Sequence, residues 1–324
     1  MEEQSHNYEK SLWIKRSITL VFGIVIWHLP IPWDITPDAW HLFAIFISAI
    51  IGVLLEALSI FTASVIALVA VVLLRVLPPE EAFSGFSESF ILLILAAFLV
   101  AKGVIKSGLG RRIAFLLIRR FGKSTLNLGY CLVITDTILG PTIPSNTARS
   151  GIMYPITHAL SLDTGSLPTP EGRKRTGTYL MMTYIAGQTI SSALWLTGMA
   201  ANPVGVGIAA EFGVNMNFGN WVFVASVPCI IALITIPFVL YKLFPPENKY
   251  TPEAPEMAMK GLLEMGPMSM QEWIMGTTFF GMILLWAFSS ILNINLAIVA
   301  FLGLSILILA KVYTIEDIRQ GGGD

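Results

Sequence analysis

Charge is the scarcest property of this sequence. Only 13% of its 324 residues are Asp, Glu, Lys or Arg, about half of the roughly 25% in an ordinary soluble domain, which excludes a fully hydrated surface. Neither sign is in excess, the formal net charge being −1, and this excludes a nucleic-acid binder driven by phosphate neutralisation. The two cysteines, Cys131 and Cys229, both lie in apolar stretches, which excludes a disulfide framework and a thiolate metal cluster. His28, His41 and His158 show no metal-ligand spacing. What is abundant instead is apolar: 55% of residues are hydrophobic, 19 of them Phe, with a mean hydropathy of +0.73. Such a chain reads as an all-α polytopic membrane protein, because helices satisfy their own backbone hydrogen bonds within lipid.

Apolar runs at 13–29, 40–58, 60–77, 90–105, 179–210, 218–243, 273–291 and 294–312 predict the spans. The polar start through Ser11 leads into the first of them without a small-residue cleavage site, so no signal peptide is expected. The segment 124–160 is apolar but interrupted by Pro141, Pro144 and a polar run, Ser145-Asn146-Thr147-Ala148-Arg149. Placing Lys10, Lys15 and Arg16 inside puts the loops at 30–39, 78–89, 211–217 and 292–293 outside, and these carry no Lys or Arg. The agreement requires 124–160 to return to the side it entered from, as a re-entrant hairpin or as two crossings. Residues 108–121, with Arg111, Arg112, Arg119 and Arg120 around Ile113, Phe115, Leu116, Leu117 and Ile118, read as an amphipathic helix in the cytoplasmic interface or as a basic loop. Residues 245–270, with several prolines, read as a polar cytoplasmic linker.

A weak internal repeat brings Arg75-Val76 onto Lys311-Val312 and Glu80-Glu81 onto Glu316-Asp317. The intervening spans would give the two copies opposite orientations in the membrane. Inverted repeats are a common architecture of secondary transporters, with the substrate near the midplane between discontinuous helices. Under this alignment the counterpart of Ser145 falls beyond Asp324. The chain is therefore expected to be truncated, holding one complete repeat and the start of a second.

Two constellations could carry chemistry. In Gly140-Pro141-Thr142-Ile143-Pro144-Ser145-Asn146-Thr147 the prolines end the incoming helix, and Ser145 or Asn146 is suited to cap a new helix from about Thr147 to Leu160. That leaves a helix N-terminus, with free N–H groups and positive dipole, at membrane depth. The bland alternative is a capped break in a kinked helix. In Leu196-Thr197-Gly198-Met199-Ala200-Ala201-Asn202-Pro203, Gly198 permits close approach, Asn202 offers an amide and Pro203 suits the first turn of a half-helix. Two broken spans, each with Asn beside a helix start, favour a transport site over packing kinks. Asp136 and Arg149 are intramembrane charges and candidate partners of each other or of a substrate. Glu56 is expected to face the interface. Thr183, Tyr184, Gln188, Ser191 and Ser192 are expected to be mostly interhelical hydrogen-bonding groups.

The runs Pro-Ser-Asn-Thr-Ala at 144–148 and Thr-Gly-Met-Ala-Ala-Asn-Pro at 197–203 resemble the divalent anion:Na+ symporter family. The closer similarity is to its branch of 2-oxoglutarate/malate translocators and citrate/succinate or tartrate/succinate antiporters. The resemblance implies an inner-membrane homodimer with a scaffold and a mobile transport domain, an inverted-repeat elevator exchanging small di- or tricarboxylates, and no enzymatic activity. On this view 1–123 is scaffold with the amphipathic helix, 124–244 the transport region, 245–270 the linker and 271–324 the start of the second repeat. The substrate site implied is Ser145, Asn146, Thr147, Thr197, Gly198, Asn202 and Pro203, with a candidate Na+ site at Ser145, Asn146 and Gly198. No other cofactor is implied. Na+-coupled symport, and cation/proton antiport through Asp136, are the alternative transport modes. An intramembrane hydrolase using Ser145 or Asp136 is disfavoured, because Ser145 has no spaced intramembrane base and Asp136 no second intramembrane Asp.

Overall fold

The computed structural model describes residues 2–32, 34–314 and 316–317, with side chains described from residue 9 onward. The described residues form helices joined by short connections, and no strand occurs among them; Ser124 and Tyr250 make an isolated antiparallel bridge. The chain divides into two compact units, Met1–Glu88 and Ser89–Asp324.

The first unit contains α1 (Glu2–His28), α2 (Pro37–Leu54), α3 (Ile60–Leu73) and α4 (Pro79–Ala82). Helix α2 starts where Thr36 caps the Ala39 N–H with Pro37 just inside, and α3 where Ser59 caps Thr62. Helix α1 packs on α2 and α2 on α3. Trp40 Nε1 donates to Ile26 O at 3.0 Å, Trp27 stacks on His41, and Arg16 Nε donates to Ala57 O at 3.2 Å. Glu56 is exposed, at the turn after α2. Leu20, Val21, Phe46, Phe61, Ile66 and Leu73 point outward, which suits a surface wetted by lipid rather than by water.

The second unit contains α5 (Ser89–Ser107), α6 (Leu109–Phe121), α7 (Thr125–Leu139), α8 (Asn146–Asp163), α9 (Gly177–Leu194), α10 (Ala201–Glu211), α11 (Phe218–Leu243), α12 (Glu253–Met265), α13 (Met270–Ala287), α14 (Ser289–Leu292) and α15 (Leu296–Leu309). Helices α2, α5 and α11 are long and apolar enough to cross a membrane, while α3, α7 and α15 are shorter apolar helices. The run 179–210 does not form one span. It breaks after Leu194 because Trp195 and Met199 adopt extended backbone on either side of a 3-10 turn, Leu196–Gly198. Helices α3 and α15 share one ending: Arg75 and Lys311 take left-handed φ of 59° and 56°, and Val76 and Val312 donate back to Val71 O and Leu307 O.

The segment 245–270, expected as a polar linker, carries a helix: its apolar residues form one face of α12, and Ala254, Ala258 and Leu262 bury that face mainly against α6. Helices α5 and α6 lie in the same compact unit as the helices after them. Helix α6 is amphipathic as expected, but Arg112 is not part of a wet basic face. It is buried and paired with Glu272, 2.5 Å from Nε to Oε1.

One backbone weave fixes how α7 and α8 run. Lys123 O accepts from Thr251 N, Lys249 O from Thr125 N, and Lys174 O and Arg175 O from Glu247 N and Asn248 N. Asn248 Nδ2 also donates to Thr164 O at 3.0 Å. The start of α7, the end of α8, the start of α9 and the chain after α11 therefore meet at one end. Residues 125–163 leave that end and come back to it, forming a helical hairpin. Its arms of 15 and 18 residues measure about 22 and 27 Å at about 1.5 Å per residue, short of a hydrocarbon core of about 30 Å.

Candidate functional site

The hairpin tip and the break between α9 and α10 come together inside the second unit. At the tip, Gly140 N still donates to Asp136 O, but Pro141 and Pro144 have no N–H to continue the ladder. Ser145 is the cap: its backbone is extended and its Oγ accepts from Ala148 N at 3.2 Å. Helix α8 then starts at Asn146, one residue before the expected Thr147.

Three contacts lock the break against the tip. Thr197, fully buried, donates from Oγ1 to Pro141 O at 2.5 Å; Ala200 N donates to Pro144 O at 3.2 Å; Trp195 Nε1 donates to Thr137 O at 2.9 Å. Asn202 Nδ2 donates to Ser192 O at 2.9 Å and Trp195 O at 3.0 Å, satisfying carbonyls that the end of α9 would leave orphaned. Pro203 sits buried in the first turn of α10. A Cβ on Gly198 would lie 2.9 Å from Ser192 O, so only glycine fits where the chain doubles back.

At the centre lies Arg149, wholly buried, beside an equally buried Asp136, with Nη1 to Oδ2 at 2.9 Å. Nη1 also donates to Ser191 Oγ at 2.9 Å, and the Ser191 hydroxyl donates to Asp136 Oδ2. Nη2 donates to Asn146 Oδ1 at 2.7 Å, to Ser192 Oγ and to Gly198 O at 3.3 Å. Ser192 Oγ stands 2.6 Å from the same Asn146 oxygen. Gln188 Nε2 braces the start of α8 by donating to Asn146 O at 2.9 Å, and also reaches Tyr184.

This network fixes which way Asn146 faces. A guanidinium has donors and no acceptor, so the amide atom turned to Arg149 must be the oxygen. The NH2 group then points away, at a half-buried position, without a hydrogen-bond partner among the described residues. Beside it Thr147 is exposed and Ser145 half-buried. The N–H groups of Asn146 and Thr147, in the first turn of α8, have no intrahelical acceptor.

The structure thus brings Ser145, Asn146, Thr147, Thr197, Gly198, Asn202, Pro203, Asp136 and Arg149 into one region. It assigns them unequal exposure: Asn146 and Thr147 present donors outward, whereas Thr197, Pro203 and the amide nitrogen of Asn202 are committed inward. Gln188, Ser191 and Ser192, expected to bond between helices, do so: Ser191 and Ser192 on the charged pair itself, and Gln188 on the start of α8. Their i, i+3, i+4 spacing on α9 was the readable signal. Arg112 with Glu272 had none, the two being far apart in the chain. No group of three or more His, Cys, Asp or Glu side chains able to hold a metal ion occurs among the described residues.

Comparison with known proteins agrees with this architecture. Residues 10–323 match the family model described as the sodium:sulfate symporter transmembrane region. The chain is 42% identical over 308 residues to the putative malate transporter YflS of Bacillus subtilis, covering 94% of this chain and 64% of that protein. It is 42% identical over 293 residues to the chloroplastic dicarboxylate transporter 2 of Spinacia oleracea, covering 89% and 52%. It is 34% identical to the inner membrane protein YbhI of Escherichia coli, covering 97% and 67%. The chain therefore spans about half to two thirds of the length of these relatives. With its helical fold and two polar breaks packed tip to tip, it belongs to the sodium:sulfate symporter family of membrane transporters, the divalent anion:Na+ symporters.

Proposed function

We propose that this chain forms one half of the site of a small-dicarboxylate transporter, of the malate, 2-oxoglutarate, succinate, citrate or tartrate class. The observation that carries this is the outward-turned Asn146 NH2. Together with the Thr147 hydroxyl, the Ser145 hydroxyl and two free N–H groups at the start of α8, it makes a surface of donors backed by a positive helix dipole. A carboxylate accepts from such groups without covalent chemistry. Thr197, Gly198, Asn202 and Pro203 act from behind, holding the α9–α10 break against the hairpin tip.

Exchange of one anion for another is the mode the geometry favours. A Na+ at Ser145, Asn146 and Gly198 would need oxygen ligands, yet Arg149 already donates to Asn146 Oδ1 and Gly198 O, and its charge opposes a second cation there. Proton carriage by Asp136 is disfavoured by the same pair, which holds Asp136 between Arg149 and Ser191. An elevator motion is supported by the weave that ties the hairpin, α9 and α11 into one piece. The inverted repeat is supported by α3 and α15, which occupy counterpart residues and share capping by Ser59 and Asn295 and a left-handed end. On this reading the chain is the first repeat and the opening of the second, in a multi-pass inner-membrane homodimer with a cytoplasmic N-terminus.

Asn146→Asp tests the donor assignment. The new carboxylate keeps an oxygen on Arg149 and Ser192 but turns a second oxygen outward where the amide NH2 was. In proteoliposomes containing the protein, labelled malate or succinate exchange is expected to fall by at least tenfold while the melting temperature stays within a few degrees. Exchange at the wild-type rate would overturn the assignment.

A further inference from the structure

A cavity in the first unit, with a volume of about 590 Å3, is lined by α1, α2 and α3. Its walls are mostly apolar, and Gly23, Ala44, Ala49, Ala63, Ala67 and Ala70 are the small residues among them. One end is at Arg16 and Thr19, the other at Trp27 and His28. Those ends are about 18 Å apart along α1 at about 1.5 Å per residue, close to one leaflet of a core about 30 Å thick. A slot of this length and apolar lining accommodates one extended hydrocarbon chain. Water would find few hydrogen-bond partners on such walls, and an empty slot would forfeit dispersion contacts along its length.

The Arg16 end adds charge to this shape. Arg16 is exposed and stands 5.4 Å over the Trp13 ring, an aromatic suited to headgroup depth. Its Nε is anchored on Ala57 O, so the guanidinium is aimed, while Nη1 and Nη2 have no partner among the described hydrogen bonds. Two parallel donors at the mouth of an apolar slot match a phosphodiester.

We propose that the slot between α1 and α3 binds one anionic phospholipid, with an acyl chain along α2 and its phosphate on Arg16. The test uses the 324-residue chain in mild detergent, titrated with phosphatidylglycerol or phosphatidylcholine of matched acyl chains, with bound lipid read by native mass spectrometry. Wild type is expected to retain one phosphatidylglycerol. Arg16→Gln should weaken phosphatidylglycerol binding about fivefold, the value of one cation at the membrane surface, and phosphatidylcholine binding less. Ala67→Phe, which fills the slot, should displace both lipids. Phosphatidylglycerol with a photoactivatable acyl chain should crosslink to α1 and α3 of the wild type, a reading independent of whether Ala67→Phe folds. Unchanged phosphatidylglycerol affinity in Arg16→Gln, full occupancy in a folded Ala67→Phe, or crosslinks confined to other helices would each overturn the proposal.

Discussion

Arg149 and Asp136 neutralise each other where neither could be left alone. Both are wholly buried, and each keeps one atom unsatisfied, Arg149 Nε and Asp136 Oδ1. Removing one partner of a buried pair costs about 3–5 kcal/mol because the other charge stays behind, whereas removing both is often nearly neutral. Arg149→Met is therefore expected to destabilise the protein by about that amount, and Asp136→Leu combined with Arg149→Met to recover most of it; thermal melts of the purified variants measure both. Under the proposed function the pair acts through Asn146, whose oxygen Arg149 holds inward. Gly198 is decisive at the same scale. Gly198→Ala places a methyl 2.9 Å from Ser192 O and 3.2 Å from Ser192 Cα, both backbone, an overpacking expected to cost about 1–3 kcal/mol, measured by the same melts.

Among elements, the α6–α12 pair was the least legible in advance. Arg112 donates to both Glu272 oxygens and to Gly266 O, and Glu272 closes a capping box with Ser269 at the start of α13. Helix α6 is thereby clasped to the turn that follows α12. A Cβ on Gly261 would meet the buried Phe115 ring at 2.6–3.0 Å. Gly261→Ala is thus expected to push α12 off α6 and speed proteolysis between 245 and 268 several-fold, while cleavage between 164 and 176 stays unchanged. At the ends of α5 and α15, Lys106 Nζ 2.6 Å away, with Thr314, holds the Asp317 carboxyl down at about 2. An unfolded Asp titrates near about 3.9. The stabilisation is complete above that value and is lost as pH falls toward about 2. Amide exchange near Tyr313 should accordingly rise between pH 4 and pH 2 rather than between pH 6 and pH 4.

For the whole molecule, the hairpin, the broken α9–α10 crossing and the basic loops make one topological statement. Residues 125–163 return to the end they left, while α9 and α10 lead away from it toward 213–217. Single cysteines at Thr169 and Asn215, in chains lacking Cys131 and Cys229, should be labelled by an impermeant maleimide from opposite faces of sealed vesicles. Thr169 should be reached only from the side that carries Lys123 and Arg175.

The sequence alone determined that this is a helical membrane transporter. Scarce charge forces most side chains into lipid or protein, and prolines beside Ser, Asn and Gly at two depths mark helix breaks that must find polar partners. The span positions followed from hydrophobic length, and the cap at Ser145 from local chemistry. Which polar groups stay exposed was not legible, since Thr197, Asn202 and Arg149 have the same composition whether they point outward or lock the fold. Packing decided it: Pro141 O claims Thr197, the end of α9 claims Asn202, and Asp136 claims Arg149. A buried hydrogen-bonding group takes the partner that tertiary contact puts within about 3 Å, and residues distant in sequence supply that partner only once the chain has folded.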